Sequence, residues 1–194
     1  MTKYEKNLTL LILISTLQFA TISAQKTFTV ESVVLPRTIQ FKNTTLSLNG
    51  AGGKSKIWLG SCVQSLYLSQ LTQDPEYIID GDIEMAIRID ITSTISPSTK
   101  LTKLIYDHFK KSAGNNLELL RSRLEELDNI LSGEMRQKDV FKFIYSPIDP
   151  TIFVYKNDVL IGEIQGTHFK KAFFGIWLSD EAADKKLKNQ LLGK

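Results

Sequence analysis

The stretch GAGGKSKIWLGSCVQSLYLS, from Gly50 to Ser69, decides how the chain folds. A glycine cluster leads into a largely apolar run. At strand periodicity Ile57, Leu59, Val63 and Tyr67 share one face, and Trp58, Cys62, Leu66 and Leu68 share the other. A strand that is apolar on both faces is covered on both sides, so this spacing predicts a strand in the middle of a sheet. The GGKS at Gly52 to Ser55 has the look of a phosphate loop. That motif needs a further glycine where this chain has Leu48, and it opens a helix, whereas this segment opens a strand. Both points argue against nucleotide binding.

Upstream, Thr27 to Val34 is rich in Thr and Val and reads as a first strand ending before Pro36. Thr38 to Phe41 and Thr45 to Leu48 flank Lys42-Asn43-Thr44, a hairpin turn. Downstream, Gln73, Asp74, Pro75, Gly81 and Asp82 mark a connection with room for a short helical turn. Ile83 to Ile91 alternates isoleucine and methionine with polar residues, which predicts a strand with one buried and one polar face. Ser96-Pro97 supplies a hydroxyl cap and a first-turn proline for a helix carrying Leu101, Leu104, Ile105 and Phe109 on one side.

Gly114 and Asn115 interrupt that pattern, and a second helix carries Leu117, Leu120, Leu124, Leu127 and Leu131. Strands return at Val140 to Tyr145, Ile152 to Tyr155 and Val159 to Ile164, the last two joined at Asn157-Asp158, residues that tolerate positive φ. Thr167 can cap a helix bearing Phe169, Ala172, Phe173, Ile176 and Trp177. A final short helix places Leu187 one turn before Leu191 and stops at Gly193. The expectation is an α+β fold: a mainly antiparallel sheet covered by a layer of helices, one domain over residues 25–194.

The 194 residues include 24 Lys and Arg against 21 Asp and Glu, too small an excess to argue for nucleic acid or an anionic membrane surface. Lys3 and Lys6 precede a mainly apolar run from Leu8 to Leu17, and Ile22-Ser23-Ala24 offers a cut ahead of Gln25. Residues 1–24 therefore read as a signal peptide, and the protein as periplasmic or secreted. Ser15, Thr16, Gln18, Thr21 and Ser23 break the apolar run too often for it to span about 30 Å of hydrocarbon. Cys62 is the single cysteine, so no internal disulfide supports the fold and no cysteine after the signal offers a lipid anchor.

Metal and cofactor chemistry find little support. His108 and His168 fall on separate helices, without HxxxH or CxxC spacing, so the reading is no metal and no cofactor. Ser61 and Cys62 are nucleophiles by type only; no GxSxG elbow is present, and a cysteine in mid-strand among apolar neighbours is ordinarily inert. Glu125-Glu126 belongs to a solvated helix face, and Phe169, Phe173 and Trp177 form a core stripe. Lys54, at the entrance to the central strand, and Arg88, on the polar face of its strand, stand out. A cation beside an apolar cavity binds a carboxylate or enolate strongly, because low dielectric strengthens the pairing.

The GAG followed by a basic residue and a strand ending SLYLS resembles the chalcone isomerase-like proteins, especially their exported bacterial branch. The tail IWLSDEAADKKLKNQLLG, Ile176 to Gly193, is similar to that branch's IWLGDxPxDxxLKxxLLG, with Ser179 in place of a glycine and Ala182 in place of a proline. The resemblance runs from about Val33 to Gly193. It implies an open-faced β-sandwich whose ligand cleft lies between the large sheet and the helices. Plant enzymes of the family close a chalcone to a flavanone in that cleft, while non-catalytic members bind fatty acids there.

Carried over by position, the family's arginine after GAG becomes Lys54, its strand threonine becomes Cys62, and the lysine of the next long strand falls near Arg88. Polar positions of the enzymes fall on Pro97, Leu104 and Ile176. The resemblance thus implies a non-catalytic protein binding an apolar or amphipathic, fatty-acid-like ligand, with Lys54, Tyr67, Arg88 and Cys62 as candidate ligand-binding residues. The alternatives are an isomerase or intramolecular lyase acting on a small unsaturated carbonyl compound through Tyr67, Lys54 and Arg88, and an envelope interaction protein without a ligand.

Overall fold

The computed structural model describes residues 27–53, 62–93 and 99–194. Its centre is a seven-stranded antiparallel sheet in which every strand neighbours the one before it in sequence. These are β3 (Thr38–Phe41), β4 (Thr44–Gly52), β5 (Cys62–Leu68), β6 (Met85–Ile91), β7 (Val140–Ser146), β8 (Thr151–Lys156) and β9 (Val159–Gln165). The described end of the opening stretch, β5, is the third of the seven and buried along its whole length, as a strand apolar on both faces must be. Residues 54–61, with Ile57, Trp58 and Leu59, lie outside the described residues.

Thr27 to Val34 is not one strand. β1 (Thr27–Val30) and β2 (Val33–Pro36) form a separate two-stranded hairpin. Its turn sits at Glu31 and Ser32, whose φ values of 48° and 79° are left-handed. A two-residue hairpin turn needs positive φ, and neither residue advertises it in sequence as Gly or Asn would. The hairpins expected at Lys42 and at Asn157-Asp158 are present, with φ of 50° at Lys42 and of 49° and 68° at the second pair.

One face of the sheet carries the helices α1 (Pro75–Asp80), α2 (Thr99–Ala113), α3 (Arg121–Ile130), α4 (Thr167–Leu178) and α5 (Lys185–Leu191), with a 3-10 turn at Gly114–Asn116. Ser96 and Pro97 lie outside the described residues. Thr167 is the first residue of α4, not its cap; Gly166 precedes it at φ 118° and gives no side-chain bond. Asp184 caps α5 through the backbone amides of Lys186 and Leu187. Leu66, Ile87, Phe143, Phe169, Phe173 and their neighbours form one continuous core between helices and sheet. Phe173 touches the rings of Phe143, Phe169, Phe174 and Trp177 at centroid distances of 4.9–6.0 Å. No helix of the described residues is long and apolar enough to cross a membrane.

The other face was expected to be polar and solvated along β6. Instead Ala86 and Asp90 are buried and Arg88 is half-buried. The reason is the curl of the sheet. At about 4.8 Å per strand, β3 and β8 would stand roughly 24 Å apart in a flat sheet. Here the Phe41 and Phe153 rings are 5.2 Å apart and the Lys42 ammonium lies 4.3 Å above the Phe153 ring. The sheet closes on itself as a half-barrel around a second, smaller core of Ile39, Phe41, Leu46, Tyr67, Ile144 and Phe153.

Gly50 and Gly52 explain why the opening stretch begins with glycines. A Cβ on Gly50 would stand 2.1 Å from the Gln190 carbonyl oxygen and 2.5 Å from that of Leu191, and one on Gly52 would meet the Gln190 and Leu187 side chains. The glycines let α5 lie directly on β4. Asn49 Nδ2 fixes the same contact by donating to the Leu191 carbonyl at 2.9 Å.

Candidate functional site

β5 distributes its side chains to two different environments. Cys62, Gln64, Leu66 and Leu68 point toward the helices, while Val63, Ser65 and Tyr67 point into the half-barrel. Register continues this division across β6: Ser65 opposes Arg88, and Tyr67 opposes Ala86. Tyr67 and Arg88 are therefore diagonal neighbours on the concave face. Cys62 is on the other side. Lys54 lies outside the described residues. The four sequence candidates do not form one cluster between sheet and helices, because strand alternation sends Tyr67 and Arg88 away from the helical layer.

On the concave face both polar candidates already have partners. Arg88 makes a two-pronged pair with Asp90, Nε to Oδ2 at 2.8 Å and Nη2 to Oδ1 at 2.6 Å. Burial acts against the guanidinium charge, but the Asp90 carboxylate outweighs it and the pKa rises. The Tyr67 hydroxyl donates to the Pro36 carbonyl at 2.9 Å, tying β5 to the end of β2. Burial raises its pKa, and nearby Ser65 pulls weakly the other way. Ser65 Oγ, fully buried, makes no hydrogen bond of acceptable geometry. A cavity of about 490 Å³ opens beside this face, where Glu31, Ser32 and Val33 of the β1–β2 turn meet Asp90, Thr92 and Lys138.

On the helix side, burial pushes the Cys62 thiol up to about 12, with the Asp90 charge adding to the shift. The thiol is neutral at physiological pH and is neither nucleophile nor base there. Two residues on, fully buried Gln64 accepts a hydrogen bond at Oε1 from the Trp177 indole. Trp177 comes from α4, so this bond joins the central strand to the helix carrying the family-like tail. Ile176 beside it is buried among apolar neighbours.

Lys170, which the sequence reading passed over, is fully buried under α1. Its ammonium donates to the carbonyls of Ile78 at 3.1 Å, Ile79 at 2.6 Å and Gly81 at 2.9 Å. These are the carbonyls a helix end leaves without internal partners, and the ammonium supplies all three with a donor. Burial lowers its pKa to about 8. Its sequence signal was its place on the helix, one residue after Phe169 and one turn before Phe173 and Phe174.

His108 is half-buried, with Nδ1 unpartnered and its pKa lowered mainly by burial, and His168 is exposed on another helix. Among the described residues no three His, Cys, Asp or Glu side chains gather as metal ligands would.

A family model described as chalcone isomerase-like matches residues 27–193. In structure, the chain is similar to a fatty-acid binding protein of Arabidopsis thaliana, with a TM-score of 0.65 and 16% sequence identity, over 86% of this chain and 96% of that one. No curated protein matches the sequence.

Proposed function

This chain belongs to the chalcone isomerase-like family, and on that premise we propose that it is a non-catalytic member binding a fatty-acid-like amphipathic ligand between sheet and helices. The observation that carries this reading is the helix-facing side of β5. Its only polar side chains, Cys62 and Gln64, are buried and uncharged, on a sheet surface otherwise aliphatic and aromatic. Such a surface suits an acyl chain with one polar end. The fold shared with a fatty-acid binding protein supports the same ligand class.

In this reading Lys54 supplies the cation for the head group. Arg88 and Tyr67 brace the concave face, since Asp90 and Pro36 occupy their hydrogen-bonding groups. The isomerase alternative needs a free cation and a free hydroxyl on Arg88 and Tyr67, and both are engaged. A neutral Cys62 and an apolar Ile176 at positions where the enzymes are polar also favour binding without turnover.

We further propose export to the periplasm or exterior, on the pattern of Lys3, Lys6, Leu8 to Leu17 and Ala24. The mature chain is then expected to begin at Gln25, which N-terminal sequencing of protein from the producing cells reads directly. Native mass spectrometry after mild purification tests the ligand. The expected spectrum carries a bound mass that a fatty-acid panel can replace. A protein that emerges empty and ignores the panel would instead fit the envelope-protein reading, with the layer filled by its own side chains.

A further inference from the structure

Gln64 holds an unused hydrogen-bond donor at the centre of the molecule. The Trp177 indole N–H can only donate, so the Gln64 atom facing it must be the carbonyl oxygen. This fixes the amide: the two N–H bonds of Nε2 point away from Trp177. Nε2 is buried and makes no hydrogen bond of acceptable geometry to the described residues. Cys62, on the same face of β5, lies near enough for the amide to act on its thiol as a hydrogen-bond donor that lowers its pKa against burial, but sulfur is a weak acceptor and the contact falls short of full hydrogen-bond geometry. The register partners of Gln64 are Gly52 on β4 and Ile89 on β6, and neither offers a side-chain acceptor.

Buried polar groups in folded proteins nearly always find partners, and one left without a partner calls for an explanation. A residue needed only for packing at this position would be apolar, like Leu66 and Leu68 on the same face. A residue needed only to receive the indole proton would not require an amide nitrogen beside its oxygen. We propose that Gln64 is a specificity-determining residue of the sheet–helix site, donating its free amide N–H to an oxygen of the ligand's polar end.

The ligand is then one that presents an acceptor oxygen, a carboxylate or carbonyl at the end of an apolar chain, and an unsubstituted hydrocarbon is discriminated against. Trp177 acts as a positioning residue: it holds the amide in the orientation that leaves the donor free. This inference rests on the binding function proposed above and adds the contact that reads the head group.

The test uses the full chain with two probes, decanoate and n-decane, each displacing a fluorescent apolar dye. Wild type is expected to prefer decanoate. Gln64→Met keeps the volume and removes the donor. It is expected to weaken decanoate by roughly 10- to 100-fold, the range for a lost hydrogen bond to a charged group, and to leave decane unchanged. Trp177→Phe releases the amide orientation and should weaken decanoate more than decane, whereas Leu66→Ala serves as the control for lost packing and should lower both probes together.

Equal losses for both probes in Gln64→Met, or no change in either, would overturn the role of Gln64 while leaving ligand binding intact. A wild type that binds neither probe would overturn the binding function itself. Should Gln64→Met not fold, the wild-type protein still decides the matter by NMR. The through-bond-assigned side-chain amide of Gln64 should move downfield with decanoate and stay in place with decane. An amide that ignores decanoate while the dye is displaced removes the proposal.

Discussion

The two faces of the sheet are buried by different means. Against the helices, burial comes from a second layer: α3, α4 and α5 bring Leu124, Phe169, Phe173, Trp177 and Leu187 into one core with Ile87, Phe143 and Leu66. Within the half-barrel, burial comes from the sheet itself, whose edge strand folds over until Phe41 meets Phe153. The first core is large and almost wholly apolar. The second is small and carries an ion pair, Arg88 with Asp90, along one side. Periodicity shows the first kind of burial directly, because a helix announces its apolar stripe. Curl has no such signal, and so a strand that reads as half-solvated is covered on both faces.

This contrast can be pressed by mutation, starting where the effect should be greatest. Phe173→Ala on the helix side removes a ring that four others touch, and should cost roughly 3–5 kcal/mol in a denaturant titration. Phe153→Ala in the smaller core, where the ring meets Phe41, should fall at about 3 kcal/mol or below. A larger loss at Phe153 would mean that curl holds the fold more firmly than the helical layer.

Next comes the ion pair. Asp90→Ala strands a mostly buried guanidinium and should cost about 2–4 kcal/mol, while the double variant Arg88→Met with Asp90→Ala should lose less than the two single changes added together. Strict additivity in that cycle would show that the pair contributes nothing beyond packing.

Alkaline titration separates two buried groups on the helix side by sign. Lys170 has a folded pKa near 8 against 10.5 when free, so between those values the unfolded chain binds more protons and stability rises with pH from this group. The Cys62 thiol shifts from 9.0 to about 12, so above pH 9 the unfolded chain loses a proton that the folded one keeps, and stability falls. Chemical denaturation from pH 7 to 11 should show Lys170→Met losing the upward slope and Cys62→Ala losing part of the downward one. Unchanged slopes in both variants would place the titration elsewhere. For the same reason Cys62 should resist thiol reagents at pH 8 until the protein is unfolded.

The smallest effect belongs to the β1–β2 turn. Ser32 holds φ at 79°, a conformation that glycine reaches without strain, so Ser32→Gly should be stabilising by up to about 1 kcal/mol. A destabilised variant would show that the Ser32 side chain supports the hairpin in some other way.

Much of the fold was legible in the residues. The alternation from Ile83 to Ile91 and the leucine spacing from Leu117 to Leu131 pointed to elements that the structure contains in shorter form, a strand over Met85–Ile91 and a helix over Arg121–Ile130 that Leu117 precedes. The tail motif pointed to the family that the whole match from residue 27 to 193 bears out. The site was less legible. Arg88 drew attention as a cation near an apolar surface, but its partner Asp90 stands only two residues away, a spacing that reads as ordinary strand polarity. Gln64 was hidden by its neighbours: within VQSLYL one amide looks like an interruption, and its meaning depends on Trp177, distant in sequence and adjacent in space. Lys170 likewise becomes intelligible only once α1 ends above it.

The sequence by itself determined the period of most elements, a mainly antiparallel sheet with hairpins at Lys42 and Asn157-Asp158, and the interior place of the strand from Cys62 to Leu68. These follow from local geometry: side chains repeat every two residues in a strand and every 3.6 in a helix, and glycines permit close approach. Only the tertiary structure decided which polar side chains are paired and which are not. Curl brought β3 over to β8 and made the Arg88 side an interior, and the packing of α4 on β5 set an indole against an amide. Those outcomes depend on distances between elements, which no local pattern encodes. Hydrogen bonding in a buried layer is in turn decided by a few tenths of an ångström of such distance.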